Sequence, residues 1–295
     1  MGQGSAGSGH FDGTLLQRVQ AHRAVGQTYG QRALVLGATQ PVPYVGTSSS
    51  THAKERPFSR LAATAEAFET VFFGTRAEAD RVLAGVRHMH HRVRGVLPRT
   101  EGRFAQGTPY DAFDPELMLW TMAVLADSSR VCFEALVRPL TPAEREDLWQ
   151  DWIHFGELFG MPREVAPPTA PEFDAWLRGK IEGPDFHVTD EARVVGRAIA
   201  TAMPVPARIR LGSRGTGLVV VGLLPERVRQ AFGFRWTPVH RAAHAGLTAA
   251  VRASQRVLPE QARLGRNTRL FRIVSATERE ILARGGRTID LPSPP

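Results

Sequence analysis

The stretch that decides the fold, residues 114–137, reads DPELMLWTMAVLADSSRVCFEALV. Its Asp-Pro-Glu start is typical of a helix N-terminus, with Asp114 as the capping residue and Pro115 in the first turn. Apolar residues then cover most faces of a helix that runs to about Val137, instead of forming one stripe. Because such a helix must be buried on most sides, the stretch predicts the central helix of a helical domain.

Helical signals continue on both sides of this central helix. The runs Thr75-Arg76-Ala77-Glu78 and Thr141-Pro142-Ala143-Glu144 each match a capping box, in which the Thr and Glu side chains bond opposed backbone N–H groups. No run alternates between apolar and polar residues for long enough to predict a sheet. We therefore predict an all-α fold, a single-domain multi-helix bundle.

The ends of the chain differ from its middle in composition. Residues 1–13 are rich in Gly and Ser and nearly free of apolar side chains, which indicates a disordered tail or a cloning scar. Residues 14–285 are expected to form the helical domain. Residues 286–295 are expected to be a flexible C-terminal tail.

Charge and hydropathy limit the partners that we expect. The formal net charge is +8, but the arginines are scattered with acidic residues between them, so we predict no nucleic-acid partner. The longest apolar run, near 217–224, is far too short to span a membrane. The start of the chain lacks the pattern of a secretory signal, so a cytoplasmic protein is expected. Cys132 is the single cysteine, which excludes an intrachain disulfide.

The densest group of chemically active side chains lies in residues 86–95, which read VRHMHHRVRG. On a helix continuing to about Val93, Arg87, His90, His91 and Arg94 fall within one turn of each other. Such a face is costly to bury unless an anion or a metal compensates it. It is also compatible with a solvated basic face at a helix C-terminus, where positive charge suits the helix dipole. Composition alone leaves both readings open.

The order of several short motifs resembles one known family. They are Phe73-Gly74-Thr75, Arg87-x-x-His90-x-x-Val93-x-Gly95 and Tyr110-Asp111-Ala112-x-Asp114-Pro115-Glu116-Leu117-x-Leu119-Trp120. Together they resemble the family of the bacterial rubber oxygenase (latex-clearing protein) and the fungal mycophenolic-acid oxygenase. The resemblance covers roughly residues 32–267.

The resemblance implies an all-helical fold around one haem b. It also implies use of O₂ on a small hydrophobic substrate, since characterised members cleave carbon–carbon double bonds of isoprenoid chains. On this basis His90 and Arg87 would lie on one face of the haem and take part in catalysis. Arg94 would bind a propionate, and Trp120 would lie against the cofactor.

Two residues depart from the family pattern. Met122 stands where the family has its proximal histidine, in Trp-Val-His, and Gln40 stands before Pro41 where the family tends to have histidine. Three arrangements follow for the iron. His90 and Met122 could bind it from opposite sides, since methionine is a haem ligand elsewhere. His90 could be the sole strong ligand, with the Met122 side open. Or the haem is lost.

These arrangements correspond to three possible functions. The first is a haem-dependent oxygenase, possessing an iron site at His90 and Met122. The second is a diverged enzyme that cyclises or rearranges a hydrophobic metabolite without oxidation, with His90 and Tyr110 as acid–base candidates. The third is a non-catalytic protein that binds haem or a hydrophobic ligand. Absence of the standard phosphate-binding, zinc-protease and serine-hydrolase motifs is compatible with all three.

Overall fold

The computed structural model describes residues 8–48 and 56–291 and confirms an all-α, multi-helix architecture. The helices before the sheet are α1 (Leu15–Ala21), α2 (Arg23–Gly26), α3 (Tyr29–Gly37), α4 (Pro41–Ser48), α5 (Pro57–Phe73) and α6 (Arg76–His90). Two short antiparallel strands follow, β1 (Arg94–Val96) and β2 (Pro109–Asp111). The helices after the sheet are α7 (Pro115–Leu136), α8 (Pro142–Phe159), α9 (Ala170–Glu182), α10 (Asp190–Thr201), α11 (Arg210–Gly222), α12 (Glu226–Ala231), α13 (Pro238–Val257), α14 (Glu260–Arg263) and α15 (Thr268–Ala283). Single 3₁₀ turns cover Arg163–Val165 and Ala207–Ile209.

Helix α7 is the buried central helix that its sequence predicts. The Asp114 carboxylate accepts hydrogen bonds from the backbone N–H groups of Glu116 and Leu117, at 2.9 and 3.2 Å. Buried side chains then follow from Met118 to Leu136, and α3, α8 and α13 pack around the helix. The apolar faces are therefore satisfied by neighbouring helices on several sides, as a helix without one polar stripe requires.

Helix α6 begins as predicted but ends earlier than predicted. The capping box of Thr75 and Glu78 is present in both directions. The helix stops at His90, and Arg94 is the first residue of β1, where it pairs with Asp111. The expectations of a helix to Val93 and of no sheet are thus wrong, because pairing with a distant segment replaces the last helical turn.

The packed part of the chain extends into both segments that were expected to be tails. Phe11 is fully buried and its ring lies edge-on to that of Phe72 at 5.9 Å. At the other end, Ile289 packs against the small apolar cluster around Phe58, and the Thr288 hydroxyl donates to Glu278. Residues 8–13 and 286–291 thus contribute packed side chains to the described structure. Residues 1–7 and 292–295 lie outside the described ranges.

The hydropathy of the helices agrees with the short apolar runs of the sequence. Across residues 8–48 and 56–291, no helix is both long and apolar enough to span a bilayer.

Candidate functional site

His90 is the last residue of α6 and is half-buried. Its ring lies edge-on to the ring of Phe113, with centroids 6.1 Å apart. The buried Nδ1 atom finds no hydrogen-bond partner within the described residues. Burial lowers the pKa of His90, so the imidazole is neutral at neutral pH. A neutral imidazole with an unused ring nitrogen can accept a proton or bind a metal.

The two arginines expected beside His90 are held differently. Arg87, one turn earlier on α6, donates from Nη1 to the carbonyl oxygen of Leu158 at 3.2 Å and joins the ends of α6 and α8. Arg94 donates from Nη2 to the carbonyl oxygen of His91 at 3.0 Å. Because Arg94 lies on β1, it does not share a helix face with Arg87, and that part of the prediction is wrong.

Tyr110 is placed by the small sheet and by two glycines. It pairs with Gly95 across the strands. A Cβ added to Gly95 would lie 2.7 Å from Tyr110 Oη, and one added to Gly46 would lie 3.1 Å from Cδ2 of the same ring. The ring is thus held between two backbone segments. Within the described ranges no hydrogen bond or ring contact joins Tyr110 to His90, so the structure does not show the two acid–base candidates as one pair.

Met122 lies deep in the core rather than at an open cleft. Its side chain is 4% exposed. A Cβ added to Gly156 would lie 3.5 Å from Met122 Cγ and 2.6 Å from Met161 Cε. Met122 and Met161 therefore both pack onto α8 where a glycine leaves room. One signal of this contact is visible in the sequence, namely a glycine inside the aromatic helix α8, since such a glycine often has a packing reason.

Trp120 serves the packing of α7 against its neighbours. Its indole N–H donates to the carbonyl oxygen of Gly37 at 3.0 Å, and its ring lies 6.3 Å from that of Trp176. Gln40, which follows Gly37 by three residues, is also buried. Its Nε2 atom has no hydrogen-bond partner among the residues described. Trp120 thus has a structural role in the state described here.

The residues at the expected cofactor position do not fit a haem bound between His90 and Met122. A methionine that binds haem iron must present its sulfur to the cofactor, whereas Met122 is 4% exposed and packs beside Met161 on Gly156. His90 offers a free nitrogen, whereas Met122 is enclosed by core packing.

Comparison with known proteins identifies the wider family. Two mycobacterial proteins described as uncharacterised, Rv2237 of Mycobacterium tuberculosis and Mb2261 of Mycobacterium bovis, are each 24% identical over 208 residues. The match covers 70% of this chain and 78% of each relative. No solved structure matches the chain. Residues 17–253 match the family described as ER-bound oxygenase mpaB/B′/Rubber oxygenase, catalytic domain. The chain therefore belongs to this family of oxygenase catalytic domains.

Proposed function

We propose that this chain is a diverged enzyme of the oxygenase family that converts a small hydrophobic metabolite by non-oxidative chemistry, such as cyclisation or rearrangement, without haem b. The observation that carries the proposal is the position of Met122, which replaces the histidine expected from the family and is packed beside Met161 on Gly156. The substrate class follows from the family resemblance and from the Phe113 ring beside His90.

The packing bears on each of the three arrangements open to the iron. Ligation from both sides needs Met122 to reach the iron, but Met122 is 4% exposed and packs beside Met161 on Gly156. Ligation by His90 alone is compatible with a buried Met122. Loss of the haem is also compatible with it, and we favour this third arrangement because the histidine that the family places on α7 is absent here.

His90 is the residue best suited to the remaining acid–base chemistry. Its Nδ1 atom is unpartnered and its imidazole is neutral, so it can accept a proton from a bound substrate and return it at another position. The Phe113 ring supplies an apolar wall beside it. Arg87 lies one turn away, where its guanidinium donates to the carbonyl oxygen of Leu158.

An absorption spectrum of the purified protein tests the proposal. We expect no Soret band as isolated and no spectral change that saturates at one equivalent of added hemin. We also expect the pair Met122→His and Met161→Ala, which restores the family's residue and opens space beside it, to increase hemin affinity. Met118→His, one turn earlier on the same helix, is the matched control. Stoichiometric hemin binding by the natural chain would contradict the proposal.

A haem-dependent oxygenase remains the second candidate, because the family is one of oxygenases and His90 Nδ1 is free. Haem b would supply O₂ activation, and His90 would be its ligand. In that case the protein is isolated with a Soret band, His90→Ala alters it, and turnover of an apolar polyene requires O₂. A colourless protein whose activity is unaffected by removing O₂ excludes this candidate.

A further inference from the structure

A cavity of about 470 Å³ opens at the C-terminal end of α7, away from the residues discussed above. It lies among the ends of α1, α7, α13 and α14. Nine residues line it, among them Leu15, Arg18, Phe133, Arg138, Arg256 and Arg263. The volume falls within the range of small-molecule sites, which is roughly 300 to 1,000 Å³.

The lining of this cavity carries charge of one sign. Four of the nine residues are arginines, and none of the nine is acidic. Arg138 is paired with Glu144 outside the lining, through two hydrogen bonds of 2.9 and 2.6 Å. Arg18 donates to the carbonyl oxygen of Gly13. Arg18 also lies near the Asp151 carboxylate, which is outside the lining. The lining itself carries only positive formal charge, so the cavity has a positive potential.

The inner wall of the same cavity is apolar. Phe133 is 4% exposed, and Leu15 is 5% exposed. The Phe133 ring contacts the His22 ring edge-on at a centroid distance of 5.3 Å, and the Arg138 guanidinium lies 5.5 Å from the Phe133 centroid. A molecule that fills this cavity therefore meets hydrocarbon inside and guanidinium groups at the rim.

His22 shows that the positive charges converge on the cavity. Burial lowers its pKa, and the charges of Arg263 and Arg138 lower it further, against a hydrogen bond with Gln255 Oε1 at 3.4 Å. The ring is thus neutral at neutral pH. It can act as a hydrogen-bond donor or acceptor to a ligand without adding to the repulsion among the arginines.

We propose that this cavity binds an amphiphilic organic anion, with a phosphate or carboxylate head on Arg18, Arg256 and Arg263 and an apolar body against Phe133. Arginine is the side chain best suited to bind both kinds of head, because its planar donors match their paired oxygens. Phe133 follows Met122 by eleven residues on α7, which is about 16 Å along a helix. The proposed site is therefore separate from the His90 region and stands independently of the proposed function.

Calorimetric titration of the full chain at fixed ionic strength tests the site with four probes: octyl phosphate, octanoate, methyl phosphate and octanol. We expect octyl phosphate or octanoate to bind saturably at one site, with the better of the two identifying the head group. We expect methyl phosphate and octanol to bind at least tenfold more weakly, since each lacks one half of the recognition.

Two charge reversals on α13 give a matched comparison. Arg256→Glu alters the cavity rim, whereas Arg241→Glu alters an exposed arginine of the same helix outside the lining, and both change the net charge equally. We expect the first to weaken binding of the better probe by about tenfold or more and the second by less than about twofold. The proposal is overturned by absence of saturable binding, by equal effects of the two variants, or by methyl phosphate binding as tightly as octyl phosphate.

Discussion

At the scale of single residues, Gly95 lies so close to Tyr110 that no side chain can be added without moving the ring. An alanine Cβ would lie 2.7 Å from Oη and 2.9 Å from Cζ, and Gly46 blocks the other side of the ring. We expect Gly95→Ala to destabilise the protein by about 1 to 3 kcal/mol, as overpacking does. The measurement is the midpoint of urea unfolding.

Gly85→Ala is the matched control for this substitution. Gly85 lies in α6 with nothing within 4 Å of an added Cβ, so alanine there should leave stability unchanged or raise it by up to about 1 kcal/mol. Equal effects of the two substitutions on the unfolding midpoint would show that the close contact between Gly95 and Tyr110 does not restrict the side chain at position 95.

Sequence reasoning identified some residues of the candidate site and missed their neighbours. His90 and Met122 stood out because of residue type and their place in a recognisable motif. The packing of Met122 beside Met161 joins residues 39 positions apart, and no local pattern in the chain encodes such a contact. Phe113 was missed in the same way, since it reaches His90 only after the chain reverses through β1 and β2.

At the scale of elements, one buried ion pair joins α3 to α7. Arg32 donates to the Asp127 carboxylate at 2.7 Å, and both side chains are less than 10% exposed. Asp127→Ala leaves the Arg32 charge buried without its partner carboxylate. We expect this to cost about 3 to 5 kcal/mol of unfolding free energy, measured by urea denaturation.

The exposed pair of Arg284 and Glu280 provides the comparison for this loss. The two groups lie 2.6 Å apart, one helical turn from each other, with side chains 76% and 60% exposed. Glu280→Ala should cost less than about 0.5 kcal/mol because water screens such pairs. A cost for Asp127→Ala no larger than this would mean that Arg32 finds another partner or reaches solvent.

Helix beginnings were easier to predict than helix ends. The capping boxes at Thr75 and Thr141 are local patterns of four residues, and both are present in the structure. The end of α6 at His90 depends on the pairing of residues 94–96 with residues 109–111, a non-local contact. Local sequence therefore determines where these two helices begin, whereas tertiary contacts determine where α6 ends.

At the scale of the whole molecule, burial lowers the pKa of each of three histidines, His22, His90 and His244. In the unfolded chain these imidazoles titrate near their ordinary value of about 6.5. Between that pH and the lower folded-state pKa values, the unfolded chain binds more protons than the folded one. Stability should therefore fall as the pH drops below about 6.5 and stop falling, for this cause, once the folded-state values are passed.

The difference between the natural chain and a variant with glutamine at all three positions isolates this contribution. We expect the variant to lose less stability between about pH 7 and pH 5, as measured by urea unfolding at each pH. His88→Gln, at an exposed position of α6, is the control. Parallel pH dependence in the triple variant and the natural chain would contradict the assignment.

The distribution of charge also became interpretable only for the folded chain. In the sequence the arginines are interspersed with acidic residues, which argued against nucleic-acid binding. In the fold, Arg18, Arg138, Arg256 and Arg263 line one cavity although they come from three separate parts of the chain. Sequence composition could report the net charge but not this convergence, because it depends on how α1, α7, α13 and α14 meet.

Helix α13 supplies Gln255 and Arg256 to that cavity. It is less buried than the helices around it. None of its residues from Pro238 to Val257 is buried, and it is attached to α7 partly by Arg252, which donates to backbone carbonyl oxygens at the end of that helix. Its amide protons should therefore exchange with deuterated solvent through local opening, at a lower free energy than those of α7. Mass spectrometry after deuterium labelling should show α13 exchanging while α7 stays protected.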